Sequence, residues 1–158
     1  MTSTDLTPAP AEGHAATWML NSLMVERATA ADTGSAYTIL EQWVTAAGNP
    51  PLHVHEREDE AFLVLEGSID VTVGDETVSV DAGGFAFGRR GVPHTYAVTS
   101  DRARLLVIAS PSGAEHFFAE VGKPAATMTI PEPTVPDVPT VVDTAARHGI
   151  TILPPPGG

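Results

Sequence analysis

His53 and His55 stand two residues apart, and Glu60 follows in the run Leu52-His53-Val54-His55-Glu56-Arg57-Glu58-Asp59-Glu60. Imidazole and carboxylate groups are lone-pair donors suited to a divalent metal ion. On an extended strand, residues i and i+2 point to one face, about 6–7 Å apart at Cα. That separation lets two imidazoles converge on one ion through bonds of about 2.0–2.2 Å. Glu60 opens the next strand after a short charged turn, which returns its carboxylate to the same region. A fourth ligand has to come from elsewhere, and His94, directly after Gly91-Val92-Pro93, is the best remaining candidate. There is no cysteine, so a thiolate ligand and a disulfide framework are both excluded. Three neutral imidazoles and one carboxylate leave positions open on the ion. The mixed N/O set suits one divalent transition metal per chain and accepts Fe, Ni, Co, Mn, Cu or Zn.

These residues must be positioned by strands. Tyr37 to Val44 is rich in β-branched and aromatic residues and ends at Gly48-Asn49-Pro50-Pro51. Leu52 to His55 and Glu60 to Leu65 follow as strands. Ser68 to Val73 alternates Ile69, Val71 and Val73 with polar residues, and Gly74-Asp75 signals a hairpin into Thr77 to Val80. Phe85 to Phe87, His94 to Val98 and Arg104 to Ala109 complete the series. Short strands at this rhythm indicate an all-β sandwich or barrel. Two stretches look helical: Ala114 to Val121, stopped by Gly122, and Val142 to His148, stopped by Gly149. The expected organisation is a flexible tail over 1–15, the barrel over 16–122, and a Pro-rich extension with a short helix over 123–158. Its connector, Lys123 to Pro139, reads as an extended strap along the barrel or onto a partner subunit.

The spacing resembles the two motifs of the cupin superfamily. The first is Gly48, then His53-x-His55-x4-Glu60-x6-Gly67; the second is Gly83, position 89, Gly91 and His94 in register. The interval from Gly48 to His53 is one residue shorter than usual, Arg89 stands at a usual Pro position and Val98 at a usual Asn position. None of these is a metal ligand in the family. A lone His-x-His on a strand is ordinary surface chemistry; the in-register set makes His53, His55, Glu60 and His94 the metal ligands. The resemblance implies a cupin-type antiparallel β-barrel (a double-stranded β-helix or jelly roll) with short C-terminal helices. Beyond the motifs, Trp18 to Leu23, Ser110 to Gly122 and His148 to Pro156 look like the single-domain quercetin 2,3-dioxygenase-like cupins of actinobacteria. That likeness implies that Glu60 is both a ligand and the base accepting a substrate hydroxyl proton.

Phe62 and Tyr96 lie two residues beyond Glu60 and His94, on the ligand face, and are the expected substrate-binding walls of an apolar cavity. Tyr37, Trp43, Phe85 and Phe87 read as core packing. Glu56, Glu58 and Asp59 read as a solvated turn, and His14, His116 and His148 as bystanders. The first functional expectation is a dioxygenase acting on a flavonol-like or other enolisable aromatic small molecule, with dioxygen as co-substrate. The alternatives are a non-oxidative metal-dependent cyclase or isomerase, and a non-catalytic ligand-binding cupin. The formal net charge of −12, with 20 acidic against 8 basic residues, argues against nucleic acid and anionic membrane partners. No apolar run approaches the roughly 18 residues of a membrane span, and the start of the chain has no signal-peptide pattern. A cytoplasmic location is expected, as is a homodimer that covers sheet edges and apolar outer faces.

Overall fold

A computed structural model describes residues 9–155. Its strands are β1 (Ala16–Met19), β2 (Ser22–Ala28), β3 (Thr38–Val44), β4 (His53–His55), β5 (Asp59–Glu66) and β6 (Ser68–Val73). They continue as β7 (Glu76–Asp81), β8 (Phe85–Gly88), β9 (His94–Val98), β10 (Ala103–Ser110), β11 (Lys123–Pro124) and β12 (Ile150–Ile152). Helices α1 (Ala30–Thr33), α2 (Ala114–Val121) and α3 (Val138–Arg147) sit between them. The strands form a seven-stranded sheet, β11-β1-β2-β3-β10-β5-β8, and a five-stranded sheet, β12-β4-β9-β6-β7. Among the described residues no ladder joins the two sheets, so the expected barrel is a jelly-roll-like pair of antiparallel sheets. No described helix is long and apolar enough to cross a membrane.

Period-two patterning decides what faces the interior. On β5, Glu60, Phe62 and Val64 are buried while the residues between them are partly exposed. On β10 the buried row is Ala103, Leu105, Val107 and Ala109. Phe62, Val64, Ala103, Leu105 and Val107 of these rows make the main core with Leu40, Val44, Ile69, Val71 and Tyr96. Glu60 is therefore the charged member of an otherwise apolar inward row. Gly67 carries the chain from β5 to β6 at φ +77°, and a Cβ there would stand 2.3 Å from the Arg102 carbonyl oxygen. Only glycine fits this turn.

Residues 1–8 of the expected tail lie outside the described residues; of the rest, His14 Nε2 is 2.7 Å from Asp32 Oδ2. The Pro-rich stretch after β11 does run as a strap. Ala125, Met128 and Ile130 cover the outward cluster of Leu23, Val25 and Trp43, and Trp18 Nε1 donates to the Thr129 carbonyl at 2.8 Å. Asn21 pins the strap further along, accepting from Thr134 N at 2.8 Å. The strap ends earlier than the sequence suggests, because α3 starts at Val138 rather than Val142. Its first turn includes Pro139, which fits there because first-turn N–H groups have no partner within the helix. Asp137 caps that turn, accepting from the Thr140 hydroxyl at 2.7 Å.

Glu115, buried on α2, joins three elements. Its carboxylate accepts from the Thr38 hydroxyl of β3 at 2.5 Å, from Ala30 N of α1 at 2.9 Å and from Gly113 N at 2.9 Å. Burial pushes its pKa up, but these donors outweigh burial and hold it below the usual carboxylate value. A depressed folded-state pKa adds stability above the unfolded pKa, and that stability is lost as pH falls through the folded value. Glu115→Ala should therefore cost about 1–3 kcal/mol near neutral pH, since it leaves buried donors unpaired. Urea unfolding of both proteins should show the gap narrowing in acid, and an equal gap at every pH would refute this role.

Candidate metal centre

The two sheets contribute opposite halves of the site. His53 and His55 lie on β4 and His94 on β9, with His53 directly paired to His94 across the ladder. Glu60 comes from β5 of the other sheet, where it pairs with Ala109 of β10 and Gly88 of β8. Glu60 Oε2 lies 2.9 Å from His94 Nε2, 3.2 Å from His55 Nε2 and 3.9 Å from His53 Nε2. The four donor atoms fall within 4.8 Å of one another. His94 is fully buried, and His55 and Glu60 nearly so.

Each imidazole is held from behind. His53 Nδ1 is 2.7 Å from the Pro51 carbonyl oxygen, His94 Nδ1 is 3.1 Å from that of Val92, and His55 Nδ1 is 3.3 Å from Glu58 Oε2. All three partners are acceptors, which suits a proton on Nδ1, so that with an ion bound the Nε2 lone pairs would face the centre. Two donors each about 2.1 Å from one ion stand about 3.0–3.4 Å apart at tetrahedral or octahedral angles. The spacing and the N/O chemistry fit a divalent metal.

Electrostatics follow from burial. Desolvation pushes the Glu60 carboxyl upward, but the charge of His55 and hydrogen bonds from the three imidazoles hold it well below its ordinary value. Burial would lower the His55 pKa, yet the carboxylates of Glu60 and Glu58 raise it to about 10. Burial and the negative charge of Glu60 push the Tyr96 hydroxyl up, against the hydrogen bond to Gln42, so it stays protonated.

The structure places the residues singled out in the sequence as follows. His53, His55, Glu60 and His94 come together, and Phe62 and Tyr96 line the adjoining cavity of about 70 Å³. Trp43 is buried on the outward face of the large sheet, while Tyr37, Phe85 and Phe87 are exposed rather than core. His116 is exposed on α2, and its neighbours Phe117 and Phe118 line the cavity instead. His148 Nε2 lies 2.6 Å from Glu120 Oε2. Asp59 is drawn away by Arg90, whose Nε and Nη2 donate to it at 3.2 and 3.1 Å.

Glu58 corrects the reading of a solvated turn: it is buried and orients His55. Its place in a charged run hid this; its spacing of three from His55 was the available signal. Gly88 was also missed. A Cβ there would stand 3.2 Å from the His94 ring, so the absence of a side chain lets that ring lie against β8. Met19, Met24, Gln42, Ile150 and Ile152 complete much of the cavity wall, and only the fold brings them there.

Residues 42–109 match the model of the cupin domain family, Cupin_2. Over this stretch, less than half of the chain, the sequence is similar to cupin domains. The chain is 34% identical over 74 residues to the quercetin 2,3-dioxygenase of Bacillus subtilis, covering 47% of this chain and 22% of that protein. It is also 34% identical over 65 residues to the uncharacterized protein SCO3923 of Streptomyces coelicolor, covering 41% of this chain and 62% of the relative. The chain thus spans less than two thirds of either relative. Among solved structures, it superposes on a predicted oxalate decarboxylase from Thermotoga maritima with a TM-score of 0.57. That match is 18% identical and covers 66% of this chain and 99% of the other, a likeness of fold.

The arrangement makes Glu58 a positioning residue for the donor set. Glu58→Ala should leave the fold in place and lower metal affinity by about 10–100-fold, the usual effect of losing an imidazole's outer partner. Competition titration against a chromogenic chelator measures this; unchanged affinity would remove Glu58 from the site.

Proposed function

We propose that this chain is a metal-dependent oxygenase that takes an enolisable aromatic small molecule and uses Glu60 as its base. One observation carries the reading: three imidazoles and a buried carboxylate converge beside a mainly apolar cavity. His53, His55, Glu60 and His94 would hold the ion. When bound, a transition metal supplies Lewis-acid activation of an oxygen ligand or, if redox-active, a route for reaction with dioxygen.

The chain's own residues do the rest. Glu60 presents a carboxylate oxygen at the position where a substrate hydroxyl would approach, and accepts its proton there. Burial strengthens that interaction by keeping water away from the charge. Phe62 and Tyr96 confine the substrate beside the centre, and Phe117 and Phe118 close the cavity from α2. Likeness to the Bacillus quercetin 2,3-dioxygenase over 74 residues favours the oxidative reading over cyclisation or isomerisation.

Glu60→Gln keeps shape and an oxygen donor but removes basicity. The variant should hold some metal and lose turnover by roughly 10²–10⁴-fold, as expected for a positioned base. Dioxygen uptake with hydroxy-ketone substrates, alongside metal analysis, tests this. Full turnover in a metal-loaded variant would exclude Glu60 as the base, and turnover without dioxygen would replace the oxygenase with a non-oxidative enzyme.

A further inference from the structure

We infer that the cavity beside the metal centre accepts an uncharged, enolisable ligand of no more than one ring, and that Phe118, Val141 and Ile152 set that limit. The inference rests on the metal-enzyme reading above and narrows its substrate. The cavity measures about 70 Å³. A benzene ring occupies an apolar cavity of about 150 Å³, and sites for drug-sized molecules run to about 300–1,000 Å³. One ring therefore needs the wall to yield somewhat, and a three-ring flavonol needs far more room beside the centre than the cavity offers.

The wall can yield only in part. Met19 and Met24 line one side, and unbranched thioether chains re-pack readily. Val141 and Ile152 line another, and β-branched side chains have few alternative rotamers. They stand on a C-terminal segment that is fastened twice. β12 is laddered to β4, with Ile152 opposite His53. On α3, Ala145 packs with Ile150 and Phe117, and the Glu120 carboxylate of α2 pairs with Arg147 and with His148. Phe118 is braced by Phe117, their rings 5.5 Å apart.

Charge narrows the ligand further. Among the described residues lining the cavity there is no Lys or Arg, so a second anionic group on the ligand would have no counter-charge. The polar contact away from the metal centre is neutral and oriented. Ser22 spends its hydroxyl hydrogen on the Met19 carbonyl at 2.7 Å, so it can only accept from Gln42 Nε2, at 3.2 Å. That fixes the amide with Oε1 toward Tyr96, whose hydroxyl donates to it at 2.9 Å. Gln42 keeps a second N–H and Tyr96 an oxygen lone pair to offer a ligand carbonyl or hydroxyl.

The test uses zinc-loaded protein, in which binding is read without redox turnover, and two probes with the same hydroxy-ketone head. These are 3-hydroxy-4-pyranone, with one ring, and 3-hydroxyflavone, with three; calorimetry reads affinity, and zinc content is checked after each titration. The pyranone should bind once per chain and at least about tenfold more tightly than the flavone. Val141→Ala and Phe118→Ala should each narrow that ratio, and a ring-carboxylated pyranone should bind more weakly than the parent. Equal or tighter binding of the flavone, tighter binding of the carboxylated probe, or a ratio that neither substitution moves would overturn the inference while leaving the enol-binding site standing. Binding of neither probe to protein that retains its zinc would remove the metal-enzyme reading itself.

Discussion

A carboxylate buried in the gap between two apolar sheets is the constraint on which the rest of this structure depends. Glu60 occupies an inward position in a row that continues as Phe62 and Val64, where an isolated charge would be strongly disfavoured. Removing such a group from water is tolerated only with charge partners and hydrogen bonds at close range. Three imidazoles supply them here, and they come from the opposite sheet. The requirement ties the sheets together at one end of the fold, while apolar packing fills the other.

Strand periodicity makes this arrangement possible at low cost in chain length. His53 and His55 share a face of β4, and ladder pairing of His53 with His94 brings in the third ring without any long-range loop. The packing behind the rings is equally specific. Gly88 gives the His94 ring its seat, and Glu58, Pro51 and Val92 each set an acceptor against an Nδ1. The C-terminal segment then closes the same end through β12, whose Ile150 pairs with His55. The C-terminal strand and the His-bearing strands are consequently parts of one ladder.

Much of this was legible in the residues. The period-two pattern of β5, β6 and β10 and the turn at Gly74 mark the strands, and the His-x-His spacing with Glu60 marks the donor set. What stayed hidden was set by tertiary context. The β1–β2 hairpin turns at Leu20 and Asn21 with φ of 46° and 64°, a left-handed pair that a leucine disguises because it rarely adopts it. β12 has three residues and exists only because β4 offers an edge. Glu58 looks like any solvated acid until His55 is seen above it, and the exposure of Phe85 and Phe87 contradicts their apolar character alone. Beyond the strands that carry the donors, the cavity wall draws on β1, β2, β3, β10, α2, α3 and β12, and no local pattern announces a surface assembled from segments so far apart.

The central claim is that one ion is held by three imidazoles and a carboxylate in a chain that also carries many surface acids. X-ray absorption fine structure on protein loaded with one equivalent of zinc addresses it most directly. Three imidazole ligands, with oxygen completing the shell at about 2.0–2.2 Å, are the result this account requires. An oxygen-only shell, or one containing fewer than three imidazoles, would place the ion elsewhere on this acidic protein and contradict it.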